Sequence, residues 1–132
     1  MRFELYTDYA IRTLRLLHVR KDEVLTTMEI AQSIGITSPV FVHYAPRLRH
    51  AGLLKTIRGH KGGFVLGKPA NEISIYDVYL CMEGELRIND CLENGEPCEH
   101  GKQVKCKLHS ILYGKQEKWI EEMSNIFIAD LV

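Results

Sequence analysis

Two helix-start signals 12 residues apart, followed at once by a glycine-rich basic tip, restrict this chain more than any other feature. Thr26-Thr27-Met28-Glu29 has the spacing of a capping box, in which the first side chain meets a helical N–H and the glutamate answers it. Ile30, Ala31 and Ile34 follow as apolar contacts, and Gly35 supplies a left-handed stop, so this helix is short, about two turns. Ser38-Pro39 starts the next helix, with serine as cap and proline at the first helical position, where no backbone donor is lost. Phe41, Ala45 and Leu48 recur as a buried stripe, and Gly52 ends it. A short helix, a tight turn and a second helix make a helix-turn-helix. Leu53–Ile57 and Phe64–Leu66 read as short strands, joined by the cationic tip Arg58-Gly59-His60-Lys61-Gly62-Gly63, which has the form of a wing.

Upstream, Thr7 and Asp8 are placed to cap a first helix with Ala10, Ile11, Leu14 and Leu17 near one face. Downstream, Ser74-Ile75-Tyr76-Asp77 starts a helix running to about Met82. From Glu83 to about Lys105 the periodicity fails, and a loop of that length inside a compact domain is functional or disordered. A long apolar stripe then returns through Leu108, Ile111, Leu112, Trp119, Ile120, Met123 and Phe127. So small a domain offers little core for it, which makes a second subunit the natural cover. The expected fold is mainly α with a small β-hairpin wing, a winged helix-turn-helix with a long C-terminal dimerisation helix. Residues 1–70 form the winged part; residues 71–132 form the dimerisation region, including a cysteine-rich loop at 83–106.

No apolar stretch approaches the roughly 20 residues that span a bilayer, and Met1-Arg2-Phe3-Glu4 does not begin a signal peptide. The expected location is the cytoplasm, where the 4 cysteines point to metal binding or redox chemistry rather than disulfides. The formal net charge of zero conceals an asymmetry: residues 1–68 carry 11 Lys/Arg against 5 Asp/Glu, net +6, and residues 69–132 carry 6 against 12, net −6. A basic half suits a polyanion. Thr37 and Ser38 at the start of the second helix of the motif can reach a phosphate or base edge, and Arg47 suits phosphate or guanine. His43 can donate to either, while Tyr44 reads equally as a contact or as packing. In the wing, Arg58 is the best candidate for the minor groove, with His60 beside it and Lys61 on phosphate.

Three segments, Tyr6-Thr7-Asp8-Tyr9-Ala10-Ile11-Arg12, Leu48-Arg49-His50-Ala51-Gly52-Leu53 and Ile57–Pro69, together with the terminal Ile128–Val132, resemble the Rrf family of bacterial winged-helix regulators. The resemblance implies a non-enzymatic, homodimeric transcription regulator, most simply a repressor, acting on palindromic double-stranded operators. Two residues depart from the pattern. Pro46 lies inside the reading helix, where it should kink or split it at a cost of about 3 kcal/mol. Val42 stands where some members carry a polar or acidic base-reading side chain.

Cys91, Cys98 and Cys106 have the spacing C-x6-C-x7-C, and His109 follows the last by three residues. Three thiolates in such a loop can wrap a soft metal site. By resemblance to cluster-binding members of the family they hold an iron–sulfur cluster, [4Fe–4S] preferred over [2Fe–2S], sensing nitric oxide, redox state or cluster supply. The same resemblance offers two fourth ligands: His109, or Asp8 from the partner subunit, with Asp8 slightly preferred. Zinc on Cys91, Cys98, Cys106 and His109 is an alternative, and bare redox-active thiols are another. Cys81, among apolar neighbours, reads as a packing residue, and His100 as a solvated one. An electron-transfer protein or enzyme built around the cluster is disfavoured, because no nucleotide loop or base–nucleophile pair is present and the cationic wing would have no purpose. A protein–protein adaptor of the same fold differs from an operator binder in lacking salt-sensitive DNA affinity.

Overall fold

The computed structural model describes residues 2–92 and 106–132. Ala10, Leu14 and Leu17 become the buried face of α1 (Leu5–Val19). Thr7 and Asp8 do not cap it: the N-cap is Glu4, which makes no side-chain cap bond. The acceptor comes instead from far along the chain. The Glu83 carboxylate takes the Glu4 N–H at 3.2 Å and the Thr7 hydroxyl. A negative charge there also complements the helix dipole.

The next two helices follow their local signals closely. In α2 (Thr27–Ile34) the Thr26 side chain accepts from the Glu29 N–H at 3.2 Å. Gly35, at φ 77°, ends the helix and lets the Ile36 N–H reach back to the Ala31 carbonyl at 2.9 Å. In α3 (Ser38–His50) the cap falls one residue earlier than expected, on Thr37, and Ser38 is already helical. Pro46 does not split α3, which continues through it to His50. Pro46 and Val42 are both exposed, so the carbonyl deprived of a partner lies on a side that water can reach.

Strands β1 (Leu54–Ile57) and β2 (Gly63–Leu66) pair antiparallel, with Leu54 opposite Leu66 and Thr56 opposite Phe64. Leu25, between α1 and α2, adds a bridge to Phe64 through two backbone bonds of 2.8 and 3.1 Å, tying the hairpin to the helical part. Helix α4 (Ile75–Glu83) begins with the expected capping box, Ser74 and Asp77 exchanging bonds of 2.9 and 3.0 Å.

Helix α5 (Lys107–Ser124) buries Gln116, whose Oε1 accepts the Ile88 N–H at 2.9 Å, while Leu108, Ile111 and Tyr113 stand 52–59% exposed. After α5 the chain turns back. Ile128 is fully buried, its N–H donates to the Ile73 carbonyl at 2.9 Å, and the Leu131 carbonyl accepts from Arg15 Nε at 2.9 Å. One hydrophobic core therefore runs from Ala10 through Phe41 and Leu54 to Val78 and Ile128, drawing on both sides of residue 70. Among the described residues no helix is long and apolar enough to cross a membrane.

Candidate nucleic-acid interface and sulfur ligand group

Helix α3 is held by its inner face and leaves its outer face free. Phe41, Tyr44 and Leu48 are fully buried, while Thr37, Pro39, Val42, His43, Pro46 and Arg47 are exposed and Ser38 is half-buried. The Phe41 ring meets Phe64 of β2 edge-on, 5.1 Å between centroids, so helix and hairpin are docked on each other. At the hairpin tip Arg58, His60 and Lys61 are exposed. The tip requires a glycine at position 62, where a Cβ would stand 2.3 Å from the Ile57 carbonyl oxygen. The outer face of α3 and a cationic loop thus belong to one rigid unit.

The sequence-derived contact set divides accordingly. Thr37, His43, Arg58, His60 and Lys61 are free to meet a ligand, and Ser38 partly so. His43 is steadied by the Tyr6 ring at 4.9 Å. Arg47 lies at the edge of this face, its Nη1 donating to the Met82 carbonyl at 3.4 Å on α4. Pro39 and Val42, read from the sequence as a helix-start proline and as a departure from a base-reading position, also lie exposed on this face. Their spacing, offset from the Phe41–Ala45–Leu48 stripe, was the signal that they face outward.

Tyr44 is a correction: it is 0% exposed and cannot reach a ligand from its position. Its hydroxyl lies 2.8 Å from Thr13 Oγ1, which itself donates to the Tyr9 carbonyl at 2.8 Å, so the tyrosine is the donor of the pair. Burial pushes the Tyr44 phenol up to about 12. The unfolded chain ionises this group near 10 and the folded chain near 12. Stability present below pH 10 is therefore lost as pH rises from about 10 to about 12, by up to roughly 2–3 kcal/mol. Thermal melts across that range are expected to show the loss in the native protein and a reduced slope in Tyr44→Phe, which itself costs about 1 kcal/mol at neutral pH.

The sulfur-bearing group flanks the undescribed stretch 93–105, in which Cys98 and His100 fall. Cys91 sits in a single 3-10 turn, Asp90–Leu92, half-buried, with Asn89 Nδ2 3.3 Å from its sulfur. Cys106 is the N-cap residue of α5 and makes no cap bond through its side chain. One turn later His109 Nε2 is buried without a hydrogen-bond partner among the described residues. An orphaned imidazole nitrogen is costly in a folded chain unless something coordinates or bonds it. Cysteine thiols and a histidine imidazole are donor types suited to iron or zinc. Among the described residues, no three potential ligands already stand together.

The Asp8 carboxylate is differently placed: half-buried, in the first turn of α1, it accepts from Arg12 Nε at 2.9 Å. Cys81 Sγ donates to the Arg47 carbonyl at 3.3 Å, and burial pushes its thiol pKa up while Arg47 opposes the shift. That setting disfavours the thiolate and suits a packing cysteine.

Comparison with known proteins gives a consistent result. A sequence family described as Rrf2, iron-dependent transcriptional regulator, matches residues 3–132. The HTH-type transcriptional repressor NsrR of Streptomyces coelicolor is 31% identical over 134 residues, covering 100% of this chain and 88% of that protein. Protein aau3 of Rhizobium meliloti is 30% identical over 132 residues, covering 100% and 85% respectively. Among solved structures, CymR (YrzC), the global cysteine regulator of B. subtilis, superposes with a TM-score of 0.82 at 23% identity, covering 99% of this chain and 95% of the other.

Proposed function

The chain belongs to the Rrf2 family of transcriptional regulators, and on that premise we propose a homodimeric repressor whose grip on a palindromic operator responds to an iron–sulfur cluster. The observation that carries the DNA reading is the docked unit itself, in which the exposed outer face of α3 and the exposed Arg58 and Lys61 are held together by Phe41 against Phe64. Two such units place two α3 helices in successive major grooves, about 34 Å apart, with the tips against the flanking minor grooves. Thr37, Ser38 and Arg47 fix the register on phosphates, His43 meets a base edge, Arg58 enters the minor groove, and His60 and Lys61 hold the backbone beside it. The uncovered Leu108, Ile111 and Tyr113 of α5 give the two subunits a shared apolar seam.

Cys91, Cys98 and Cys106 supply three thiolates for the cluster, [4Fe–4S] by preference. When bound, it provides a centre that reacts with nitric oxide or oxidants. For the fourth position we take His109, whose Nε2 is buried without a partner among the described residues, ahead of the partner's Asp8, whose carboxylate already pairs with Arg12. A physical route leads from this region to α3. Helix α4 accepts Arg47 through the Met82 carbonyl, donates to α3 through Cys81, and holds the start of α1 through Glu83. Moving α4 therefore shifts the C-terminal part of α3 and the start of α1, and this controls the operator provided the two arrangements bind DNA differently.

The test is anaerobic purification followed by visible absorption and iron, sulfide and zinc analysis. Iron and inorganic sulfide are expected in the native protein, with loss of both in Cys106→Ala. His109→Ala is expected to weaken retention more than Asp8→Ala. Zinc alone, or no metal after reconstitution, would sink the cluster reading and reassign the cysteines to zinc or thiol switching.

A further inference from the structure

Along one row of the outer face of α3, only one side chain can hydrogen-bond to a base. Pro39, Val42, His43 and Pro46 recur at i, i+3, i+4 and i+7, and all are exposed, Val42 at 57%. Of these four side chains only His43 carries a donor or acceptor. Folding accounts for Pro39, which starts α3, but not for Val42 or Pro46. Val42, more than half exposed at the edge of the cleft between α3 and the hairpin, gains little from burial, and Pro46 removes a bond from its own helix. What the stripe offers is a rigid apolar ridge. In the major groove the one apolar group on a base edge is the C5 methyl of thymine.

We propose that the ridge formed by Pro39, Val42 and Pro46 reads thymine methyl groups, with Val42 as the specificity-determining residue and His43 supplying the adjoining hydrogen bond. The inference rests on the reading of α3 as the major-groove helix. It predicts half-sites with A·T pairs where the ridge lies, selected through their methyl groups.

The experiment uses the full chain. A preferred duplex is first selected from a randomised pool, and its affinity is measured by fluorescence anisotropy. Deoxyuridine then replaces thymidine at each half-site position in turn, removing only the methyl. At the contacted positions each lost methyl is expected to weaken binding roughly fourfold. Val42→Ala is expected to weaken binding to the thymine duplex by a similar factor and to bind thymine and uracil duplexes alike. Equal affinity of native protein for both duplexes, or an undiminished thymine preference in Val42→Ala, overturns the inference while leaving DNA binding intact. Failure to enrich any duplex overturns the DNA reading itself, and this inference with it.

Discussion

Phe41→Ala is expected to destabilise the protein by about 3–5 kcal/mol, as large aromatic deletions in close-packed cores do. Phe41 is fully buried, packs edge-on against Tyr44 at 5.6 Å and Phe64 at 5.1 Å, and forms part of the inner stripe of α3. The truncation leaves a void between helix and hairpin. Since small domains hold only about 5–15 kcal/mol in total, much of the folded margin disappears. Urea unfolding measures the loss directly. Phe41→Leu, which retains much of the volume, is expected to keep most of the stability but loosen the hairpin, lowering DNA affinity by more than its stability loss accounts for.

The second large effect concerns the tip. Replacing both Arg58 and Lys61 with alanine is expected to lower operator affinity by about 100-fold while leaving the melting temperature within a few degrees of native. The two side chains are exposed, and neither forms an ion pair within the described protein, so their removal costs the fold little. In the complex each would lose a cationic contact worth about 1–3 kcal/mol or a released counterion. Anisotropy titrations read the affinity and a thermal melt reads the fold. An unchanged affinity would show that the tip lies away from DNA.

Much of this was legible in the chain because its signals are local. Thr26 with Glu29, Ser74 with Asp77, and the stop at Gly35 each act within a few residues, and each appears where the spacing places it. The glycine-rich tip likewise announces the hairpin, within a residue of its strand ends. What escaped was non-local. The acceptor at the start of α1 is Glu83, 79 residues from Glu4, so Thr7 and Asp8 looked like caps and are not. Tyr44 finds its partner 31 residues back at Thr13, which turned a candidate contact into core. Pro46 was expected to break its helix, yet the outward stripe tolerates the lost bond because water reaches that side. The cysteine spacing suggests candidate ligands but no meeting point, since a loop pattern carries no direction in space. That His109 Nε2 lacks a partner among the described residues became visible only once α5 was placed.

The most direct test of the central claim, that α3 and the wing grip DNA, is the affinity of the native protein for its selected duplex across a salt series. Log K is expected to fall linearly with log salt with a slope of about −5 or steeper, as six or more phosphate contacts require. The slope should become shallower by about one for each phosphate-binding cation removed from the tip. A weak affinity that is indifferent to salt, and equal in the Arg58→Ala and Lys61→Ala variants, would contradict it and leave the exposed face of α3 for a protein partner.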